Sequence, residues 1–346
     1  MSSNGDCFLV LPDSCANDCL IVGRNNEDET ALGVSQEVCY YDVSEVLEGK
    51  TAGGGDSTKL CVILQKPKPG VWGGDFGANE RNVVVGLTWS TGEESSEDGL
   101  LGTDIVRMTL AQSESAESAV EQIGELVTKE SSDAAKLNFI VCDATGAWLV
   151  SCAGKVWAAE KVKAGHLRVP SGGLTVTTTI DKSSDGLDAA ANFAAAHDAE
   201  TTPLAWCGPE PNGDAKYTLP DMFETLRSAS NAASSRAACI SVLSAKGISC
   251  HWFTATPNAS ESVFKPFVFA PAPRVSPLTK VQAEADVTLL HKLHSQRKPA
   301  ALEHLRSLEA SCVEELNNLF GLQDQPTEEL DELLKDCVEA EVKFYR

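Results

Sequence analysis

The stretch "NGDCFLVLPDSC" (4–15) sets a cysteine, Cys7, at the mouth of a short apolar run, Phe8-Leu9-Val10-Leu11. A thiol there has two uses. It is a nucleophile if cleavage uncovers it, or a small buried apolar residue on a first strand. Other residues with chemical potential fall short on spacing. Cys15 and Cys19 are four apart, but no second Cys or His pair follows at ligand distance, so no zinc site and no metal are expected. His291 and His294 stand three apart on an expected helix and read as surface residues. The glycine-rich "TAGGGDST" (51–58) lacks the lysine and helix start of a phosphate cradle, so it reads as a turn. No cofactor is expected.

The elements that must position Cys7 are mostly strands. "FLVL", "CLIVG", "LCVIL", "NVVVGL", "LNFIVCD", "AWLVS", "KVWAAEKV" and "LTVTTTI" are short, rich in Val, Ile, Thr and aromatics, and bounded by turn residues. "DATG" (143–146) predicts a hairpin joining two of them. A helical pair interrupts the series: "GTDIVRMTLA", then a helix capped by Ser115 whose Ala119, Val120, Ile123, Leu126 and Val127 share one face. Strand signals return at "AACISVL", "ISCHWFTAT" and "SVFKPFVFAP", where Pro266 marks an edge. "STGEESSEDG" (90–99) reads as an acidic surface loop.

Beyond Pro277 the pattern is helical. Leu305, Leu308, Cys312, Leu316 and Leu319 make one stripe, and Leu330, Leu333, Leu334, Cys337 and Val338 a second after Pro326. This divides the chain into a strand-rich domain, 1–276, and a helical extension, 277–346. Such stripes usually pack on their own domain. Their distance from the last strand also makes them candidate contacts for a protein partner.

Composition excludes several classes. The 346 residues carry 28 basic against 50 acidic side chains, a formal charge of -22, which opposes phosphate-backbone binding and suits a basic partner surface. No nucleic acid is expected. No apolar run is long enough to span a membrane, and the N-terminus lacks the pattern of a secretion signal. Twelve scattered cysteines then read as reduced, mostly buried thiols in the cytoplasm or an intracellular assembly.

"WGGDFGANE" (72–80), "GLLGTDIVRMTL" (99–110), "CAGKVWAAEKV" (152–162), "TTTID" (177–181), "CHWFTATP" (250–257) and "SVFKPFVF" (262–269) together resemble the secernin family. The resemblance implies an α+β chain with the Ntn-hydrolase fold: two antiparallel sheets face to face, helices outside, in a four-layer αββα sandwich with a C-terminal helical extension. It also implies kinship with cysteine dipeptidases and with penicillin and bile-salt amidases. There a terminal Cys thiolate attacks an amide and its own α-amine, with a pKa near ~8, is the base. An Arg and an Asp hold these groups, and Asn side chains stabilise the oxyanion.

Carried onto this chain, the motif departs at several positions. Family members place "CDTF" before the first strand, which puts Gly5 at the nucleophile, Asp6 on the Asp and Cys7 on the Thr. Cys7 is two residues late, a shift of roughly 6.8 Å along a strand. Even ~1 Å of misplacement can cost about 100-fold in rate. In "GRNNED" (23–28), Arg24 and Asn25 match, but Glu27 stands at the Asp position, with Asp28 one further on. Leu87 and Ser171-Gly172 occupy the slots of the two oxyanion amides. Losing one such donor costs about 3 kcal/mol.

Two readings follow. One is a lapsed enzyme whose scaffold serves protein binding or assembly. The other is an active cysteine dipeptidase using Cys7, Arg24 and Glu27 after removal of residues 1–6, with a small peptide as substrate. Removing Met1 alone would expose Ser2, which sits at no catalytic position.

Overall fold

A computed structural model describes residues 4–27, 34–49, 59–92, 100–163, 165–187, 192–197, 204, 206, 216–282, 285–320 and 326–345. The loop expected at 51–58, most of the acidic loop at 90–99, and Asp28 lie outside them. In chain order the strands and helices are β1 (Asn4–Val10), β2 (Leu20–Glu27), β3 (Glu37–Tyr41), β4 (Val62–Lys66), β5 (Phe76–Asn79), β6 (Val84–Thr91), α1 (Gly102–Gln112), α2 (Ala116–Glu130), β7 (Lys136–Asp143), β8 (Gly146–Ala153) and β9 (Val156–Lys161). There follow β10 (His166–Val169), β11 (Lys182–Ser183), α3 (Phe193–Ala196), α4 (Leu219–Ser228), β12 (Ser235–Leu243), β13 (Cys250–Phe253), β14 (Lys265–Phe267), α5 (Leu289–Ser295), α6 (Ala301–Phe320) and α7 (Leu333–Lys343).

The chain is mixed α+β with two antiparallel sheets. One runs β10-β1-β2-β12-β13-β14, the other β3-β4-β5-β6-β7-β8-β9-β11, and the pairing of Asn4 with Trp89 joins them. The "DATG" hairpin forms as expected, with Asp143 opposite Gly146. β14, with Pro266, is an edge strand.

Strand alternation sorts the apolar side chains into separate cores. Cys7, Leu9, Leu20, Val22 and Cys239 of the first sheet share a cluster with Ile63, Phe76, Val84 and Ile140 of the second. Phe8, Val10, Ile21 and Ile240 turn the other way, onto Met222, Phe223 and Leu226 of α4 and Leu316 of α6. Val85, Leu87, Phe139 and Val150 likewise turn onto Ile105 and Met108 of α1 and Val120 and Ile123 of α2. The Ser115 hydroxyl accepts from the Ser118 amide and caps α2, and the expected face of that helix is buried.

Two expectations are corrected. "LTVTTTI" is no strand: Leu174 and Val176 are buried, but the amides of Thr175 and Val176 bond to the Asn138 and Ser151 side chains instead of a ladder. His294 is not a surface residue. It is buried and shares a 3.1 Å hydrogen bond with the Tyr345 hydroxyl.

Tyr345 belongs to a network that fastens the C-terminal helices. Lys265 of β14 pairs with Glu341 of α7 at 2.5 Å, both buried, and the Tyr345 hydroxyl donates to Glu341. Leu290, Leu305, Leu334, Val338 and Val342 join the inter-sheet cluster, so much of both stripes is covered by the protein's own chain.

Two buried imidazoles give the fold an acid-sensitive element. Burial pushes His251 down to about 3 from 6.5. Burial, helped by Arg297, Lys265 and His291, does the same to His294. A depressed folded-state pKa means the unfolded chain binds more protons between about pH 6.5 and 3. Their stabilisation is therefore present above pH 6.5 and lost as pH falls through that window. Urea unfolding at stepped pH should show this loss, and His294→Gln should flatten the slope between pH 6 and 4.

Candidate functional site

β1, β2 and β12 lie side by side, and their register aligns three residues: Cys7 opposite Arg24, and Arg24 opposite Cys239. All three belong to the inter-sheet face, as do Gly5 and Asn26, which pair one step along. Cys7, Arg24 and Cys239 are each 0% exposed. The sequence motifs thus do bring Cys7 and Arg24 together, though in the interior. Arg24 is no surface or strand-end charge.

A charge in such a place needs a partner. Arg24 Nη1 lies 3.1 Å from an oxygen of Asp75, also wholly buried, and Nη2 donates to the Leu87 carbonyl at 3.0 Å. The Asn26 amide donates to the same Asp75 oxygen. Burial works hardest against the guanidinium charge, but Asp75, together with Cys7 and Cys239, leaves the Arg24 pKa above its ordinary value.

Asp75 comes from "WGGDFGANE" and is held from several sides. Arg107 donates to the Trp72 carbonyl at 2.6 Å, and the Gly74 amide to the Thr103 carbonyl at 3.1 Å. At Gly73 a Cβ would stand 2.0 Å from the Thr103 carbonyl oxygen, so only glycine lets the chain pass the start of α1. The Asp75 amide donates to Gln65 at 3.0 Å, and its carbonyl accepts from Leu87 at 2.8 Å. Sequence reasoning used this motif only for its resemblance and gave its carboxylate no role. The signal was an aspartate between glycines in an apolar stretch.

Glu27 does not fill the role assigned to it by position. Alternation puts it on the face of Asn25, whose amide reaches the Leu226 carbonyl of α4 at 2.8 Å, while Arg24 and Asn26 face the other sheet. The carboxylate beside Arg24 is Asp75. Asp6 also points away from the inter-sheet face, accepting from Arg168 and from the amide and hydroxyl of Ser171.

The two oxyanion slots supply no side-chain amide. Leu87 packs its side chain on the α1–α2 side and turns a carbonyl, an acceptor, toward Arg24. Ser171 is engaged by Asp6.

The Cys7 thiol is poorly suited to attack. Burial pushes its pKa up to about 12, and Asp6 and Asp75 add to the rise against the pull of Arg24. At neutral pH it is a thiol, not a thiolate.

Gly5, the position that matches the family nucleophile, is closed off. A Cβ there would stand 2.5 Å from Arg24 Nε and 2.6 Å from its Cζ. The guanidinium lies where a nucleophile's side chain would begin. Gly5→Cys should therefore destabilise the fold by about 1–3 kcal/mol through overpacking. It should gain no amidase activity, as urea unfolding and a dipeptide assay would report. Among the described residues, no three His, Cys, Asp or Glu side chains come together in a way that could hold a metal ion. No described helix is long and apolar enough to cross a membrane.

No protein-family model matches the chain. Among solved structures it is similar to penicillin V acylase from Agrobacterium tumefaciens, at 14% identity and a TM-score of 0.32. That match covers 45% of this chain and 49% of the acylase chain, about half of each.

Proposed function

We propose that this protein is a secernin-like Ntn-hydrolase scaffold, a four-layer αββα sandwich, whose catalytic centre has become a structural ion pair and whose role is protein binding or assembly. Helix-covered outer faces around an inter-sheet core support the fold reading. One observation carries the functional reading: the Arg24 guanidinium, locked to Asp75, fills the space over Gly5. Among the described residues, the positions matched to the nucleophile and the two oxyanion amides, Gly5, Leu87 and Ser171, then carry neither a thiol nor a side-chain amide, and Arg24 and Cys7 beside them are buried.

The outward residues of the C-terminal helices and of the segment before α7 include Glu303, Glu314, Glu315, Glu328, Glu329 and Glu339, all exposed. A basic protein surface is the partner chemistry this suits. Buried, reduced cysteines fit an intracellular setting.

The second reading, a Cys7 amidohydrolase, draws on the alignment of Cys7 beside Arg24. Steady-state hydrolysis of a dipeptide panel separates the two. The scaffold reading expects wild type and Cys7→Ala to be equally inactive. Turnover abolished by Cys7→Ala would establish the amidohydrolase.

A further inference from the structure

The C-terminal helices carry a pair of thiols that no part of the site uses. Cys312 on α6 and Cys337 on α7 are 25 residues apart in sequence, yet their sulfurs lie 3.6 Å apart and share a hydrogen bond. No other two described thiols are so joined. The pair has an open side: Cys312 is half-buried, whereas Cys337 is buried. It also sits one helical turn from Glu341, the residue that anchors α7 to Lys265.

We propose that Cys312 and Cys337 form a reversible disulfide, driven by hydrogen peroxide, that fastens α7 to α6. Cys312 is the attacking sulfur, because solvent reaches it. The hydrogen bond from Cys337 holds its pKa below the ordinary thiol value, against burial and the nearby Glu315 and Glu309. The same bond, with burial, raises Cys337, so the resolving thiol stays protonated until needed.

In the first step the Cys312 thiolate attacks one peroxide oxygen. An S–O bond forms, the O–O bond breaks, and the departing hydroxide leaves as water with the thiol proton. In the second, Cys337 attacks the Cys312 sulfenic sulfur. An S–S bond forms, the S–O bond breaks, and a second water leaves with the Cys337 proton. Two thiols and one peroxide become one disulfide and two waters. Sulfur is oxidised and peroxide oxygen reduced, and an added thiol reductant reverses the change.

The consequence is mechanical. α7 holds part of the inter-sheet core through Leu334, Val338 and Val342. Closing the chain between the two cysteines restricts its local opening, by roughly 300-fold for a loop of this length.

The test uses the full chain treated with hydrogen peroxide, then digested with trypsin without reduction. Cleavage after Arg306, Lys335 and Lys343 isolates Cys312 in 307–335 and Cys337 in 336–343, one cysteine in each peptide. The expected product is these two peptides joined, with the link absent in Cys312→Ser and restored to free thiols by dithiothreitol. Amide hydrogen exchange in α7 should slow roughly 300-fold on oxidation. Two results would overturn the proposal: Cys312 running on to sulfinic acid without a link, or either cysteine pairing with a different thiol.

Discussion

Asp75→Ala should lower the unfolding free energy by about 3–5 kcal/mol, the cost of leaving a buried charge without its partner. The reasoning starts from Arg24, which is 0% exposed and permanently charged. Its carboxylate lies 3.1 Å away and is equally buried, so water cannot take over when the carboxylate is removed. Asn26, which donates to the same oxygen, loses its acceptor as well. Urea unfolding of wild type, Asp75→Ala and the apolar double substitution Arg24→Met/Asp75→Leu measures the effect. The double variant should be the more stable of the two variants, because removing both charges removes the desolvation penalty. A loss below about 1 kcal/mol in Asp75→Ala would mean that the pair is solvated, as a surface pair is.

Cys7 should alkylate about 1,000-fold more slowly than an unperturbed thiol, since a rise from 9.0 to about 12 lowers the thiolate fraction by that factor. Burial on the inter-sheet face adds a steric barrier to the same suppression. Iodoacetamide labelling over time, read site by site by mass spectrometry, supplies the rate. Cys312, half-buried and with a lowered pKa, is the internal contrast and should label far sooner. In urea the difference should vanish, because unfolding removes both causes. A native Cys7 labelling at the rate of Cys312 would show an open, activated thiol.

Local patterns were legible because their causes are local. The Ser115 cap, the "DATG" turn, the apolar face of α2 and the edge proline each depend on a few adjacent residues. β3, "EVCYY", passed unmarked, for its leading Glu37 and short length give little alternation to read. What the sequence hid is long-range compensation. Nothing beside Arg24 in the sequence marks its buried partner, Asp75, which stands 51 positions later. His294 reads as exposed until Tyr345, from the last turn of the chain, covers it. "LTVTTTI" has strand composition, yet two side chains from neighbouring strands take its amides. In the site, matching positions indicated Glu27, but a strand's two faces separate it from Arg24, and the carboxylate arrives from the opposite sheet.

The measurement that bears most directly on the lapsed site is the intact mass of the protein from its native source, incubated with and without a reactive acyl substrate. The scaffold account predicts a chain that keeps residues ahead of Cys7 and gains no acyl adduct there. A chain beginning at Cys7 that gains one acyl group on that residue would contradict it.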